Sequence, residues 1–344
     1  MQVPEGFRMP AEWESQEAVW FSWPHPEGIS FPGAYERIPP AMGALIRAAA
    51  NCEPVRVNVR DAAEEAEARR HVGRNDSVEY FHVPTNEPWC RDHGPIFLVN
   101  DATREVAVAD FDFNAWGGKY EGTNFDRQVP SMLAKLLGLR CFSHPMVLEG
   151  GSIEVNGSGS LLTTRSCLLN PNRNPGMSAG QIETVLHTWL GVRNILWLGD
   201  GIEGDDTDGH IDDLTRFVGK SRVVTVMEDN PDDPNHAVLR ANFTALQKLR
   251  DEDDQPLEVV ALPMPSRRLE HEGQRLPASY ANFLIVNGGV LLPVFDDPRD
   301  AEAAAVLGSL FPGRKIVPVD CRDIIIGLGS VHCLSQQQPA KPLH

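Results

Sequence analysis

The chain has 344 residues, and its 31 Lys and Arg against 48 Asp and Glu give a formal net charge of −17 at pH 7. With 42% hydrophobic and 23% charged residues, the composition is that of a globular protein and excludes disordered, collagen-like and coiled-coil chains. The acidic balance argues against nucleic acid and anionic membranes as partners, because both need a basic surface. It fits either a cationic ligand or plain solubility.

No apolar stretch approaches the roughly 20 residues of a membrane span, and the opening MQVPEGFRMPAEWES has no apolar signal core. We therefore expect a cytoplasmic protein with no membrane partner. None of the cysteines forms a Cys-x-x-Cys pair, so neither a zinc ribbon nor a dithiol redox site is indicated, and free thiols are expected. The six cysteines are Cys52, Cys90, Cys141, Cys167, Cys321 and Cys333.

The predicted elements recur in a fixed order along the chain. Two short apolar runs flank a turn containing Gly or Asn, as in SIEV-NGSG-SLLTT, and predict a hairpin. An amphipathic helix and a further apolar run, such as NILWLG, follow the hairpin. Helices are predicted at 41–50, 61–72, 126–137, 178–190, 236–250 and 300–310.

The predicted hairpins are evenly spaced. They begin near Ile96, Ile153, Thr215 and Asn282, and an interval of about 60 residues is typical of structural repeats. We expect five ββαβ units, with the last apolar run, SVHCL, pairing with the first unit. A ring of such units is a pseudo-symmetric five-bladed α/β propeller, here one domain over residues 1–344. An open α/β sheet of the same elements is the alternative.

Polar segments join the end of each unit to the start of the next. In equivalent units they lie at one rim, where loops on a rigid scaffold commonly build a site. These inter-unit segments read NEPWCRDHGP, VLEGGS, GDGIEGDDTDGHIDD, PASYAN and GLGSVHCLSQQQP. The third segment, GDGIEGDDTDGHIDD, contains partial matches to a dinucleotide-binding motif and to a calcium-binding loop, and neither match is complete. Its G-x-G-x-x-G is followed by acids that would repel a pyrophosphate, and its Asp run lacks ligands at the first and twelfth positions of a calcium loop.

His210 and Asp212 are the strongest candidates in that third segment. They lie two residues apart at the entry to a strand, so in an extended chain they face the same side, whereas Asp213 faces away and is expected to be structural. A general acid–base beside a fixed negative charge is one interpretation. A structural, hydrogen-bonded histidine is the other.

Two further segments carry acids with the same ambiguity. Asp92 precedes a Gly-Pro turn and is either a turn residue or a ligand for a cation, with Trp89 as an apolar or cation–π wall. Glu149 is flanked by apolar residues and by glycines that permit close backbone approach.

Cys333 is a candidate nucleophile, although a buried inert thiol is the commoner role of cysteine. Side chains of adjacent residues diverge in a strand, so His210 is a better partner for it than His332. Acids, a His and a Cys together suit a guanidinium, which binds carboxylates bidentately and whose central carbon a thiolate can attack.

Taken together, the motifs resemble the agmatine deiminase family of the guanidine-modifying superfamily, which is related to bacterial-type peptidylarginine deiminases. The resemblance runs almost end to end. Its strongest pieces are WCRDHGP, FNAWGGKY, LEGGSIEVNGSGSLLTT, LLNPNRNP, GDDTDGHIDD, ASYANFLIVNGG and GSVHCLSQQQP. The family fold is a five-bladed α/β propeller of ββαβ units.

The resemblance implies a role for each candidate residue. Cys333 would be the nucleophile, and His210 the general acid and then base. Asp92 and Asp212 would grip the guanidinium, Glu149 would orient His210 and help to hold the substrate, and Trp89 would line the pocket. Agmatine would give N-carbamoylputrescine and ammonia through a thiouronium intermediate, with no metal ion or organic cofactor.

Departures from the family pattern leave the substrate open. Many members have GGGNIHC where this chain has GLGSVHC, and Asn at the positions of Asp208 and Asp213. The segment 264–280 is long enough to be a lid, and its Arg267 and Arg268 either meet a substrate carboxylate or lie at the surface.

Four alternatives therefore accompany agmatine hydrolysis. They are deimination of peptidyl-arginine, free arginine or a longer guanidino-polyamine; amidino transfer to an amine; a non-catalytic binding protein; and a metallohydrolase. The sequence is compatible with a homo-oligomer but does not fix the oligomeric state.

Overall fold

The computed structural model describes residues 3–342. Its strands are β1 (Phe7–Arg8), β2 (Gln16–Ser22), β3 (Val55–Val59), β4 (Val78–His82), β5 (Ile96–Asn100), β6 (Glu105–Asp112), β7 (Arg140–Val147), β8 (Ile153–Val155), β9 (Ser160–Thr164), β10 (Asn194–Leu198), β11 (Thr215–Gly219), β12 (Arg222–Met227), β13 (Glu258–Pro263), β14 (Glu270–His271), β15 (Gln274–Arg275), β16 (Leu284–Val286), β17 (Gly289–Val294), β18 (Lys315–Asp320) and β19 (Ser335–Pro339).

The helices lie between these strands. They are α1 (Ile38–Ala50), α2 (Ala62–Val72), α3 (Cys90–His93), α4 (Ala115–Gly118), α5 (Val129–Leu137), α6 (Arg165–Leu168), α7 (Ala179–Leu190), α8 (Pro234–Leu246) and α9 (Asp300–Leu310). Short 3₁₀ turns occur at Tyr35–Arg37, Asp126–Gln128, Gly150–Ser152, Ile211–Asp213 and Ile324–Gly327. Within residues 3–342, no helix has both the length and the apolar character needed to cross a bilayer.

Local sequence explains where the longer helices begin and end. In α7, Ser178 and Gln181 form a capping box, and Gly191 closes the helix in the left-handed conformation at φ 67°. Asp233 caps α8 and Pro234 occupies its first turn, so this helix begins before the predicted residue 236 and ends before the predicted residue 250.

Four sheets share one pattern of strand pairing. A hairpin of two antiparallel strands is followed by a helix, and the next strand pairs in parallel with the second strand of the hairpin. The four are β5-β6-β7, β8-β9-β10, β11-β12-β13 and β16-β17-β18. The predicted ββαβ order is therefore confirmed in these units.

The remaining large sheet joins the two ends of the chain. Its order is β19-β2-β3-β4, with β19 antiparallel to β2 and the other pairs parallel. The closing strand is thus SQQQP, and the prediction that SVHCL forms it is wrong. The apolar pattern misled because this strand buries glutamines, with Gln338 accepting from the Trp20 indole and Gln336 from Arg91.

Short elements at the inter-unit segments meet one another. Helix α3 contacts the turn Gly150–Ser152 and strand β19, and that turn contacts Ile211–Asp213. Sequence reasoning missed β1, which pairs with β5, and the separate hairpin β14-β15 within the predicted lid.

Candidate active site

Cys333 lies in a tight turn between the Ile324–Gly327 turn and β19. The side chain of Asn282 holds this turn. Its carbonyl oxygen accepts from the backbone N–H of His332 at 3.0 Å and from the Ser330 hydroxyl at 2.8 Å, and its amide nitrogen lies 3.0 Å from the Cys333 Sγ. The thiol is 94% buried yet reaches the wall of a cavity, so its position is fixed while one side stays open to a ligand.

Carboxylates surround the thiol. The Asp212 Oδ2 lies 3.7 Å from Sγ, and an Asp213 oxygen belongs to the same compact group. Burial, followed by the negative charges of Asp212, Asp213 and Asp92, raises the pKa of the Cys333 thiol well above its ordinary value. The thiol is therefore neutral in the resting site, and a bound cation would favour its deprotonation.

The positions of Asp212 and Asp213 correct two expectations. The chain is not extended after His210 but turns through the 3₁₀ segment Ile211–Asp213. Asp213 consequently does not face away: it accepts from the Asn282 amide at 3.0 Å and lies beside Cys333. Burial and the neighbouring charge of Asp212 raise the pKa of Asp213 well above the usual carboxyl range.

His210 and Asp92 come together over Gly151. The His210 Nδ1 lies 3.6 Å from the Asp92 Oδ1, which accepts from the Gly151 N–H at 3.1 Å, while Oδ2 accepts from the Trp116 indole at 2.9 Å. A Cβ on Gly151 would stand 2.5 Å from the His210 Nδ1. Only glycine leaves room for the two side chains here.

The charge state of His210 follows from these neighbours. Burial alone would lower its pKa, but the charge of Asp92, the contact with Cys167 and the charge of Glu149 raise it well above the ordinary histidine value. Burial conversely raises the pKa of Asp92, although the charge of His210 opposes that shift. These neighbours favour the protonated imidazole, which is the form that a general acid needs.

Glu149 is fully buried and only half paired. Its Oε1 accepts from the Arg173 Nε at 2.6 Å, whereas Oε2 has no hydrogen-bond partner within residues 3–342. The carboxylate lies close to both His210 and the Cys167 thiol, and in the described part of the chain both ring nitrogens of His210 also lack hydrogen-bond partners. Buried polar atoms are seldom left unpaired, so this corner of the site is suited to receive a polar ligand.

The Asp run before His210 is mostly structural. Asp205 accepts from the backbone N–H groups of Thr207 and His210 at 2.7 and 3.1 Å. Asp208, in the left-handed region at φ 69°, pairs with Lys119 at 2.8 Å and with Arg173 at 2.6 Å. Asp206 differs, since it lines the cavity and its carboxylate accepts from the Tyr120 hydroxyl.

A cavity of about 320 Å³ leads to Cys333. The predicted Trp89 forms part of its wall, with its indole donating to the Ser30 hydroxyl at 2.7 Å and packing against Gly327 and Gly329. The acids in the lining are Asp92, Asp206 and Glu272, and no Lys or Arg of the described chain is among the lining residues.

Part of the expected lid does line the cavity. His271 and Glu272, at the tip of the hairpin β14-β15, form the wall together with Gln274 and Leu276. Arg267 and Arg268 do not: the first donates to the Asp296 carbonyl and the second pairs with Glu203 and Glu270 at the surface.

The structure therefore brings together the six residues singled out from the sequence: Trp89, Asp92, Glu149, His210, Asp212 and Cys333. Sequence reasoning missed Arg173, Asn282 and Trp116. Each lies in a quoted segment, LLNPNRNP, PASYAN or FNAWGGKY, but nothing in its spacing marks it as a partner of the site.

Three buried groups within residues 3–342 have spacing that could hold a metal ion. They are Glu149-Cys167-His210, Asp212-Asp213-Cys333 and Glu12-Glu154-His332. The last is already satisfied by protein partners, because Arg216 donates to Glu12 and Glu154, and His332 contacts Glu12 and Asp212. The first two overlap the candidate catalytic residues, since one contains Glu149 and His210 and the other contains Asp212 and Cys333.

Comparison with known proteins gives consistent matches over the whole chain. Residues 8–339 match the family described as Porphyromonas-type peptidyl-arginine deiminase. The agmatine deiminase of Pseudomonas fluorescens is 40% identical, over 98% of this chain and 96% of its own.

Solved structures give the same picture. That of the Enterococcus faecalis agmatine deiminase superposes with a TM-score of 0.92 at 32% identity, covering 98% of this chain and 97% of its own. A Cys-to-Ser variant of the C. jejuni agmatine deiminase with substrate bound superposes with a TM-score of 0.90 at 32% identity, covering both chains completely. This chain belongs to the Porphyromonas-type peptidyl-arginine deiminase family, whose relatives here include the agmatine deiminases.

Proposed function

We propose that this protein is an agmatine deiminase that hydrolyses the guanidino group of agmatine to N-carbamoylputrescine and ammonia. One observation carries the choice of substrate: the cavity leading to Cys333 has three acids and no Lys or Arg in its described lining. A guanidine with an aminoalkyl tail is attracted along its whole length by such a wall. The carboxylate of free arginine would meet Asp206 or Glu272 and be repelled.

The roles of the site residues follow from their positions. Asp92 and Asp212 hold the guanidinium nitrogens, with the unpaired oxygen of Glu149 as a third acceptor, and Trp89 packs against the planar group. The bound cation offsets the negative charge around Cys333 and so lowers the cost of forming its thiolate.

Chemistry proceeds in two steps. As the cation binds, the Cys333 thiol releases its proton to solvent; the thiolate adds to the guanidinium carbon, His210 gives its proton to the departing nitrogen, and the C–N bond breaks to release ammonia. A thiouronium remains on Cys333. Neutral His210 then takes one proton from water as the oxygen adds to the same carbon. The C–S bond breaks, and the remaining hydroxyl proton returns to Cys333 as the ureido product leaves. These steps need no metal ion or organic cofactor.

The scaffold of this site is proposed to be a closed ring. Four sheets with the same ββαβ pairing, and a fifth in which the last strand β19 returns to the first unit, support a five-bladed α/β propeller forming one catalytic domain over residues 1–344. The six free cysteines support a reducing, cytoplasmic setting.

A substrate panel tests the proposal. Agmatine, free arginine, a peptidyl-arginine and a guanidino-polyamine are compared by kcat/KM for the ureido product, with added amines to detect amidino transfer. Agmatine is expected to be preferred over arginine by at least ~100-fold, roughly the effect of one unfavourable buried charge. Equal or better use of arginine or peptidyl-arginine would remove agmatine as the substrate.

A further inference from the structure

His332, next to the proposed nucleophile, lies between two acids that it links. Its Nδ1 is 2.7 Å from the Asp212 Oδ2, and its Nε2 is 2.8 Å from the Glu12 Oε2, while the ring is 99% buried. A neutral imidazole has only one N–H. Two contacts with carboxylate oxygens therefore require either an imidazolium or a proton on one of the acids.

The surroundings of Glu12 favour its ionised form. Its Oε2 accepts from the Arg216 Nη2 at 2.8 Å, its Oε1 accepts from the Ile285 N–H at 2.6 Å, and Arg91 lies 3.7 Å away. Burial would raise the pKa of Glu12, but the charges of Arg216 and His332 outweigh it and lower that pKa. These donors satisfy both oxygens of the Glu12 carboxylate without a proton on either.

Asp212 is held on one side only, and its contact with His332 favours the ionised form. Burial would raise its pKa, but the hydrogen bond and charge of His332 lower it. Its Oδ2 faces His332 and the Cys333 thiol, whereas Oδ1 is buried and has no hydrogen-bond partner among the residues that the structure describes. One oxygen is thus anchored by protein, and the other is left to accept from a ligand.

From this geometry we propose that His332 and Glu12 are positioning residues of the active site. His332, as an imidazolium anchored by Glu12, holds Asp212 ionised and oriented for the guanidinium. The proposal rests on the proposed function, because Asp212 is assigned there to bind the guanidinium. Neither residue touches the substrate, and both act through Asp212.

Other charged groups face this chain of contacts and set its background. Around His332 and Glu12 they are Glu53, Arg91, Glu154, Arg216 and Arg314, and around Asp212 they are Asp92, His210, Asp213, Arg216 and Cys333. His332 is the cation in direct hydrogen-bond contact with Asp212. Removal of His332 should therefore change the charge state and orientation of Asp212 more than those of the other groups.

His332→Gln tests the proposal, since glutamine keeps an amide donor but carries no charge. The pH dependence of kcat/KM for agmatine is measured with KM, kcat and the melting temperature. We expect KM to rise at least tenfold and the acid limb to move toward neutral pH, because Asp212 would protonate more readily. Glu12→Gln should move both quantities in the same direction by less.

His187→Gln is the matched control. It makes the same substitution at a histidine outside the candidate site, whose Nδ1 bonds the Val192 carbonyl. It should leave the pH profile unchanged. A merely structural role for His332 would lower the melting temperature while KM and the acid limb stay as in the wild type. Either that result or an unshifted profile in Glu12→Gln would overturn the proposal.

A neutron structure of the wild-type protein provides a second test, which does not depend on whether a variant folds. We expect deuterons on both nitrogens of His332 and none on the carboxylates of Asp212 and Glu12. A neutral His332 or a protonated Asp212 would overturn the proposal. Failure of the proposed function is distinguishable, since it would show as a wild-type enzyme without activity on agmatine whatever the state of His332.

Discussion

Arg173 donates from Nε to the Oε1 of Glu149 at 2.6 Å, and both side chains are fully buried. This pair fixes one oxygen of Glu149 and leaves the other for a ligand. Arg173→Gln should abolish most activity and cost about 3–5 kcal/mol of unfolding free energy, because it leaves a buried carboxylate without its cation. Urea unfolding and the agmatine assay measure both effects.

Arg173→Lys keeps the positive charge but not the planar guanidinium. Its activity and its unfolding free energy should lie between those of the wild type and those of Arg173→Gln. The control is Arg267→Gln, since Arg267 is an exposed arginine whose side chain donates to the Asp296 carbonyl. It should change stability by less than about 0.5 kcal/mol. A stable, active Arg173→Gln would show that Glu149 does not need this partner.

Gly151 is expected to be intolerant of a single methyl group. A Cβ there would lie 2.5 Å from the His210 Nδ1 and 2.7 Å from the Asp92 Oδ1. Gly151→Ala should therefore lower kcat/KM by at least ~100-fold, since misplacing catalytic groups by about 1 Å has that effect. Gly180→Ala in α7 is the matched control, because apart from the adjacent residues and the helix's own backbone no atom of the described chain lies within 4 Å of a Cβ at Gly180. It should be fully active, and an equally active Gly151→Ala would contradict the site geometry.

Cys333 is expected to be slow to alkylate in the resting enzyme, because burial and the nearby acids raise its pKa well above the ordinary thiol value. Asp212→Asn removes the charge 3.7 Å from Sγ. We expect this variant to lose deiminase activity but to react faster with iodoacetamide at pH 8, as peptide mass analysis of residue 333 would report. Slower alkylation in Asp212→Asn would contradict the electrostatic account.

Asp126 should make stability depend on pH. Burial raises its pKa to about 7, although its carboxylate accepts from the Asn86 and Glu87 N–H groups. The folded state keeps a proton that the unfolded state has lost, so this group lowers stability as pH rises from the ordinary carboxyl range to about 7. Asp126→Asn should therefore be more stable than the wild type at pH 8, with the gain shrinking toward pH 5.

Asp61→Asn is the control of opposite sign. Backbone N–H groups of Glu64 and Ala63 hold the pKa of Asp61 below its usual range, so its carboxylate supports folding above that range and loses this effect as pH falls. Melting curves between pH 5 and 8 should show no gain from Asp61→Asn at pH 8. If Asp126→Asn is no more stable than the wild type at pH 8, the raised pKa assigned to Asp126 is wrong.

The sequence predicted the elements well where periodicity or capping defines them. The strand Ser160–Thr164, predicted as SLLTT, and the helix Asp300–Leu310 have the predicted bounds. The family resemblance is confirmed by the relatives at 40% identity. The closed ring and the roles of individual site residues stay predictions.

What the sequence could not give is the pairing of buried polar groups. Glu12 and His332 are 320 positions apart and meet only in the folded chain. No periodic pattern predicts such a contact, because a single acid such as Glu12 near the start of the chain would be predicted to lie at the surface. The turn at Ile211–Asp213 was missed for a local reason, since one 3₁₀ turn reverses which side chains share a face.

Covalent catalysis by Cys333 is the central claim, and rapid acid quenching of the enzyme with agmatine tests it most directly. Mass analysis should find the peptide containing Cys333 heavier by the agmatine-derived amidino group, after loss of ammonia, and Cys333→Ala should show neither adduct nor ammonia release. Wild-type-like turnover by a folded Cys333→Ala would contradict the account.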